Sequence, residues 1–333
     1  MTEQNAGPKK VVLSGLRPTG PCHLGNLAGA LRNWIKLQDI YQCYYSIVTW
    51  HALSSEYMKS QAIRDNVFEV AIDWLSIGLD PEKCVIFVQS EVKEHAELHL
   101  LLSMVTPLPW LERVPTYKEM QAELQDRDIH TYGYLGYPVL QTADIIIYKA
   151  DIVPVGEDQA PHLELAREIT RRFNRIFGPI FPEPQTLLTE VPRLAGTDGR
   201  KMSKSFNNAI YLKDSPEVIR GKIAPMITDT RRMRRSDPGE PDDCPVFTFH
   251  KAFVPKDKQA EIAQGCRTAG IGCLECKKVV IDALIETLAP FRERRNEFEK
   301  NPQRIWDILQ EGNRKARRVA QQTMDEVRTA LGF

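Results

Sequence analysis

Short apolar runs of strand length alternate with stretches of helical periodicity through the first two thirds of this chain, and that alternation constrains its fold most. Residues 10–13 form an apolar strand, 15–20 a loop rich in Gly and Pro, and from 24 to 37 apolar residues recur at helical spacing. Residues 44–48 and 85–88 are two more apolar runs, with helical patterns at 61–77 and 95–102. Residues 145–148 and 152–155 continue the apolar pattern, and 159–173 reads as a charged helix. Strands alternating with helices imply an α/β fold with a Rossmann-like doubly wound parallel sheet. Such sheets bind ligands outside the carboxyl ends of their strands. Beyond a Gly-, Lys- and Ser-rich loop at 194–208, composition shifts toward helix formers and Arg, with helical stretches at 261–264, 277–288 and 305–331. The expected division is a Rossmann-like domain over 1–212 and an all-helical C-terminal domain over 213–333.

With 333 residues the chain can bury a large core. Its 44 basic and 44 acidic residues cancel, so any nucleic-acid contact must use local patches rather than a global field. No apolar run reaches the roughly 20 residues needed to cross a membrane, and the start does not read as a secretory leader. A cytoplasmic location is the expectation. Seven cysteines in such a chain point to thiols or metal ligands rather than disulfides.

Two segments far apart suit a nucleoside triphosphate. The first is Pro18-Thr19-Gly20-Pro21-Cys22-His23-Leu24-Gly25-Asn26, where the first strand hands over to the first helix. Glycines there allow close backbone approach, and a helix start offers unpaired N–H groups to phosphate. The spacing fits neither G-x-G-x-x-G nor G-x-x-x-x-G-K-[ST], which disfavours dinucleotide and P-loop readings. The second is Lys201-Met202-Ser203-Lys204-Ser205, two cations and two hydroxyls on a loop that can close over a leaving pyrophosphate. Alone, the first also fits an ordinary turn and helix cap, and the second a solvated loop. Their joint occurrence, in this order on an α/β frame, is what carries weight.

Together they resemble the two signatures of class I aminoacyl-tRNA synthetases, with the first written His23-Leu24-Gly25-Asn26, an Asn standing where the usual pattern ends in His. The segments 137–145 and 153–159 resemble the amino-acid pocket of the tyrosine and tryptophan enzymes, and the likeness to the tryptophan branch runs over nearly the whole chain. That resemblance implies an enzyme that activates tryptophan with ATP and Mg²⁺ and loads it onto the 3′ end of its tRNA. It implies a homodimer as well. It gives Thr19, His23, Asn26 and Lys118 to the ATP phosphates, with Arg17 and Pro18 in the same turn, and Gly25 to adenosine. Gly156, Glu157 and Asp158 face ribose and adenine. Lys201, Met202, Ser203 and Lys204 hold the pyrophosphate. Tyr137, Gln141 and Gln159 orient the amino acid's ammonium and carboxylate.

Within that resemblance the choice of amino acid turns on two residues. Asp144 would accept a hydrogen bond from the substrate side chain, and an indole N–H can only donate. Leu13 stands two residues before Gly15, where the tyrosine enzymes place a second partner for the phenol. An apolar wall there suits indole and offers a phenol nothing. Gln141 also fits the tyrosine enzymes. A buried carboxylate facing a ring with no donor would reject it strongly.

Cys244, Cys266, Cys273 and Cys276 lie in the C-terminal part, the last two as a C-x-x-C pair. Spacing alone admits zinc, an iron–sulfur cluster or free thiols, with zinc ahead. A subset of bacterial tryptophan enzymes carries a 4Fe–4S cluster on very similar spacing, and this resemblance puts iron–sulfur first, with Zn²⁺ as the alternative. Arg231, Arg232, Arg234 and Arg235 just upstream are the expected tRNA contacts. Cys22, Cys43 and Cys84 read as buried thiols.

Overall fold

The computed structural model describes residues 9–114, 131–156, 159–188 and 194–333. Strand β1 (Val11–Leu16) leads through the first signature into α1 (Leu24–Asn26), a π-helical stretch at Leu27–Leu31, and α2 (Arg32–Ile40). Next come β2 (Gln42–Ile47), α3 (Thr49–Glu56), α4 (Gln61–Ile77), β3 (Cys84–Val88), α5 (Glu94–Ser103) and α6 (Leu108–Glu112). After α7 (Tyr132–Leu135) and α8 (Tyr137–Ile146) the chain forms β4 (Ile152–Val155), α9 (Ala160–Phe177) and β5 (Gln185–Leu188). The remainder is helical: α10 (Pro216–Ile223), α11 (Pro245–Phe253), α12 (Lys256–Arg267), α13 (Cys273–Lys300) and α14 (Pro302–Leu331).

The five strands are all parallel, in the order β3-β2-β1-β4-β5. The chain reverses direction of winding between β1 and β4, so the ligand crevice of a doubly wound sheet opens beyond Leu16 and Val155. β2 is a nearly continuous buried run, as a strand covered on both faces should be. The apolar segment 145–148 completes α8 and the turn after it rather than forming a strand.

A helix protects the β3 edge from pairing with other chains. Gly312 of α14 lies so close to β3 that a β-carbon there would run into the Ile86 carbonyl, and the Val88 N–H donates to Asn313 Oδ1 at 2.8 Å. Leu284 and Leu288 of α13, with Ile305 and Leu309 of α14, join Trp34, Trp74 and Ile86 in one apolar core. The helices beyond Leu212 therefore share their core with the sheet. Cys22, Cys43 and Cys84 are buried free thiols, as expected. Among the described residues no helix is long and apolar enough to cross a membrane.

Candidate active site

At the end of β1 the backbones crowd. A β-carbon at Gly15 would sit 2.8 Å from the Ser46 carbonyl oxygen, so only glycine allows β1 and β2 to run this closely into the crevice. Thr19 N–H donates to Arg17 O at 2.9 Å and closes the turn, leaving the Arg17 and Thr19 side chains exposed and Pro18 buried. His23 then caps the helix reciprocally: Asn26 N–H donates to His23 Nδ1 at 3.3 Å, and His23 N–H donates to Asn26 Oδ1 at 3.0 Å. Gly25 is required beside it, since a β-carbon would meet the His23 ring at 2.9 Å.

The second signature closes onto the first. Lys204 Nζ donates to Gly20 O at 2.7 Å, and Leu24 N–H donates to Ile210 O at 2.9 Å just past the loop. Burial, reinforced by the Lys204 charge, lowers the His23 pKa to about 4, so its ring is neutral near pH 7. Burial also lowers the Lys204 pKa, against the pull of Cys22 and Asp73. Met202 is buried and anchors the loop, Lys201 faces solvent, and Ser203 Oγ accepts from the Ser205 N–H at 3.3 Å. Asn208, which the sequence did not single out, organises the loop. Its Oδ1 accepts from the Ser203 N–H at 2.8 Å, while its Nδ2 donates to Asp198 Oδ1 at 2.7 Å and Lys201 O at 3.1 Å.

A second polar centre lies on α8. Asp144 is buried in its last turn, and three side chains from other elements hold it. His51 Nε2 is 2.8 Å from Oδ2, His95 Nδ1 is 2.6 Å from Oδ1, and Gln89 Nε2 donates to both oxygens at 2.7 and 2.9 Å. Burial alone would raise the Asp144 pKa, but the hydrogen bonds from His51 and His95 outweigh it and hold the carboxyl below the usual range. It is thus an acceptor-only carboxylate. His95 Nε2 lies 2.7 Å from the buried Tyr148 hydroxyl, so the network continues inward. His51 has an exposed edge, 11% against 0% for His95, and is the member a ligand can reach. None of His51, Gln89, His95 or Tyr148 was predicted, because no local pattern links them.

Leu13 belongs to the same apolar cluster as Ala143 and Ile145 of α8. The Tyr137 hydroxyl lies 3.0 Å from His162 Nε2, a further partner the sequence did not reveal. Tyr137 also lines a cavity of about 490 Å³, together with Trp50, Leu53, His99 and Leu140 among others. Gly156 follows β4 at the crevice, and Gln159 N–H donates to Gly156 O at 3.0 Å. Gln141 is partly exposed on α8. Lys118, Glu157 and Asp158 lie outside the described residues.

Cys244, Cys266, Cys273 and Cys276 lie at the ends of α11, α12 and α13 as free thiols. Burial, and then the charges of the other three cysteines, push the Cys276 thiol up to about 12. Thiolates are soft metal ligands, but the raised pKa keeps Cys276 as a thiol here and the expected geometry is not met. Among the described residues no three His, Cys, Asp or Glu side chains are drawn together as metal ligands, and Cys276 Sγ lies 3.1 Å from His250 Nε2. The arginine run is also less free than expected. Arg231 pairs with Asp229 and Asp243, Arg235 with Glu275, and Arg232 donates to Ile271 O at 2.6 Å beside Cys266. Arg234 is exposed next to Met233.

Comparison with known proteins places these features. The family model for class I tRNA synthetases of tryptophan and tyrosine matches residues 5–289. The tryptophan–tRNA ligase of Thermotoga maritima is 50% identical over 324 residues, covering 97% of this chain and 99% of the relative. That of Aquifex aeolicus is 44% identical over 393 residues, covering 97% and 99%. The crystal structure of tryptophanyl-tRNA synthetase from Campylobacter jejuni, complexed with ADP and tryptophan, superposes with a TM-score of 0.85 at 34% identity, covering 97% of this chain and all of that one. A parallel sheet that ends in two interlocked signature loops, matched from end to end by such relatives, has one assignment: the chain belongs to the class I aminoacyl-tRNA synthetases of the tryptophan and tyrosine branch.

Proposed function

We infer that the chain is a tryptophan–tRNA ligase, which activates tryptophan with ATP and transfers it to the 3′ end of its tRNA. The observation that carries this is similarity to tryptophan–tRNA ligases over 97% of the chain. Thr19, His23 and Asn26, with Arg17 and Pro18, line the ATP phosphates, and Gly25 lets adenosine pack on backbone. Gly156, Glu157 and Asp158 meet ribose and adenine, and Lys118 is a further phosphate contact. Mg²⁺ accompanies ATP, bound mainly through phosphate oxygens and water.

No protein nucleophile is needed. The tryptophan carboxylate, oriented by Tyr137, Gln141 and Gln159, attacks the α-phosphorus in line and pyrophosphate leaves. Lys201, Met202, Ser203 and Lys204 supply the clamp, and the cations neutralise charge that develops on the leaving group. A ribose hydroxyl of the terminal tRNA adenosine then attacks the carbonyl carbon of the adenylate, the mixed-anhydride bond breaks and AMP leaves. Asp144 selects the amino acid: the indole N–H replaces the His51 contact on Oδ2, while Gln89 and His95 keep the carboxylate fixed and ionised. Leu13 walls the ring and offers a phenol no partner.

Cys244, Cys266, Cys273 and Cys276 would supply the thiolates of a structural 4Fe–4S cluster, with Zn²⁺ as the alternative, at the tRNA-facing end; similarity of cysteine spacing supports this reading. Arg234 and the paired Arg231, Arg232 and Arg235 edge that surface. Leu100 on α5, Met104 just after it, Leu108 on α6 and Tyr132 are exposed apolar side chains that support pairing of two copies.

ATP–pyrophosphate exchange with each amino acid in turn tests the assignment. Exchange should run far faster with tryptophan than with tyrosine or phenylalanine; equal exchange with tyrosine overturns it. Iron and sulfide analysis of protein purified without oxygen should give about four of each per chain. A colourless preparation with stoichiometric zinc selects the alternative.

A further inference from the structure

Asp73 on α4 is fully buried, and nothing in the activation chemistry just described uses it. Its Oδ2 accepts the Cys22 N–H at 2.6 Å, inside the first signature. Its Oδ1 pairs with Arg295 of α13, which is itself buried. Arg295 also reaches Glu69 at 3.0 Å and Glu299 at 2.9 Å, so each guanidinium edge has a carboxylate. The Cys22 carbonyl is held from the other side by the Leu212 N–H at 3.0 Å. The turn that presents His23 is therefore gripped on both faces, by the strand-like segment after the Lys-Met-Ser-Lys-Ser loop and by Asp73.

The grip is electrostatic as well as geometric. The negative charge of Asp73 supports the cationic form of Lys204, whereas burial and Arg17 oppose it. Burial pushes the Asp73 pKa up to about 6, with Arg295 acting against that. A buried pair of this kind is weak evidence for stability, because matched apolar side chains often replace it without loss. Its placement behind the ATP turn gives it another use.

We propose that Asp73 and Arg295 are positioning residues for adenylate formation: Arg295, on the helix that begins with Cys273 and Cys276, fixes Asp73, and Asp73 fixes the Cys22–His23 turn beneath Lys204. The C-terminal helical part thus contributes directly to the alignment of the ATP site. This rests on the assignment of the two signatures to ATP.

The test uses the full-length enzyme and three measurements: thermal melting, tryptophan affinity, and the single-turnover rate of adenylate formation at saturating tryptophan and ATP. The double variant Asp73→Leu/Arg295→Met removes both charges and should keep the fold. Its melting should fall only modestly, from the lost acceptor for the Cys22 N–H, and its tryptophan affinity should stay close to the parent, while adenylate formation slows by about tenfold to 100-fold, the cost of a misplaced reacting group. Arg295→Lys should recover most of the rate, because it restores a cation beside Asp73. A double variant that folds, binds tryptophan and forms adenylate within about twofold of the parent rate overturns the inference. If the double variant fails to fold, Asp73→Ala decides: it removes the acceptor for the Cys22 N–H while Arg295 keeps Glu69 and Glu299, and a parental rate there overturns the proposal. Lys204→Ala in the same assay separates the two assignments. A normal rate for that variant overturns the ATP-site reading and this inference with it. A slow Lys204→Ala beside a normal Asp73/Arg295 variant overturns the inference alone.

Discussion

The two interlocked signature turns and the Asp144 centre are built on opposite plans. The first is made of backbone: Gly15 and Gly25 allow close approach, Gly20 O receives Lys204, and cations stand at a crevice open to ligand. The second is made of side chains: one carboxylate and three donors, closed among α3, α5, α8 and the end of β3. A centre of the first kind can move and close as charge develops. A centre of the second kind resists change, because any partner left behind is a buried polar group without a bond. One suits a transition state, the other a choice between rings.

The largest effect expected of this difference is at Asp144. Asp144→Ala leaves His51, Gln89 and His95 facing a void and should reduce discrimination for tryptophan by about 3 kcal/mol or more. Amino-acid competition in pyrophosphate exchange reads this directly. Unchanged discrimination with only a lowered melting temperature would reduce the centre to a structural one.

Lys204→Ala should act in the complementary way. Adenylate formation should slow about 100-fold, as when a transition-state donor is removed, while tryptophan affinity changes little. Single-turnover kinetics with tryptophan titration separates the two. A loss of tryptophan affinity with an unchanged activation rate would erase the contrast between the centres.

The two plans also explain what the sequence disclosed. Pro18–Asn26 and Lys201–Ser205 are contiguous, since backbone geometry and local charge are written in neighbouring residues. The alternation of strands and helices was legible for the same reason, and α4 falls at 61–77 as its periodicity implies. Asp144 could be named only through resemblance. Its partners sit 49, 55 and 93 residues away and share no period, so only the folded chain brings them together. Asp73 and Arg295, 222 residues apart, stayed hidden for the same reason. The helical segment after Leu212 was visible, but its packing on β3 was not, because Gly312 and Asn313 look ordinary in a helix.

Asn208→Ala should give a smaller effect than Lys204→Ala. It removes the acceptor for the Ser203 N–H and two donor contacts, so the loop loses its shape while keeping both lysines. About a tenfold fall in adenylate formation is expected, with a raised KM for ATP and little change in tryptophan affinity. If tryptophan affinity falls as far as the rate does, the loop also serves the amino-acid centre and the two regions are not separable.

The smallest effect concerns pH, and here the two centres should part in sign of charge and in window. His23 has a pKa of about 4 in the folded protein, against 6.5 for a free imidazole, because burial and then Lys204 disfavour its cation. The unfolded chain therefore takes up this proton first. The stability that neutral His23 contributes is complete above pH 6.5, is lost as pH falls from 6.5 to 4, and declines no further below that. Partial exposure limits the loss to about 1 to 2 kcal/mol. Asp144 behaves differently: its pKa lies below 3.8 in the folded state, so its contribution holds through this window and is lost only at lower pH. Urea unfolding at pH 7 and pH 5 tests the first half. His23→Asn keeps a good helix cap without a titrating ring and should be less sensitive to this pH change than the parent. Lys204→Ala should weaken the pH dependence too, since it removes the second cause of the low His23 pKa. An equal loss of stability between pH 7 and 5 in the parent and His23→Asn proteins would mean that His23 is already solvated, and that Lys204 does not rest over the turn in solution.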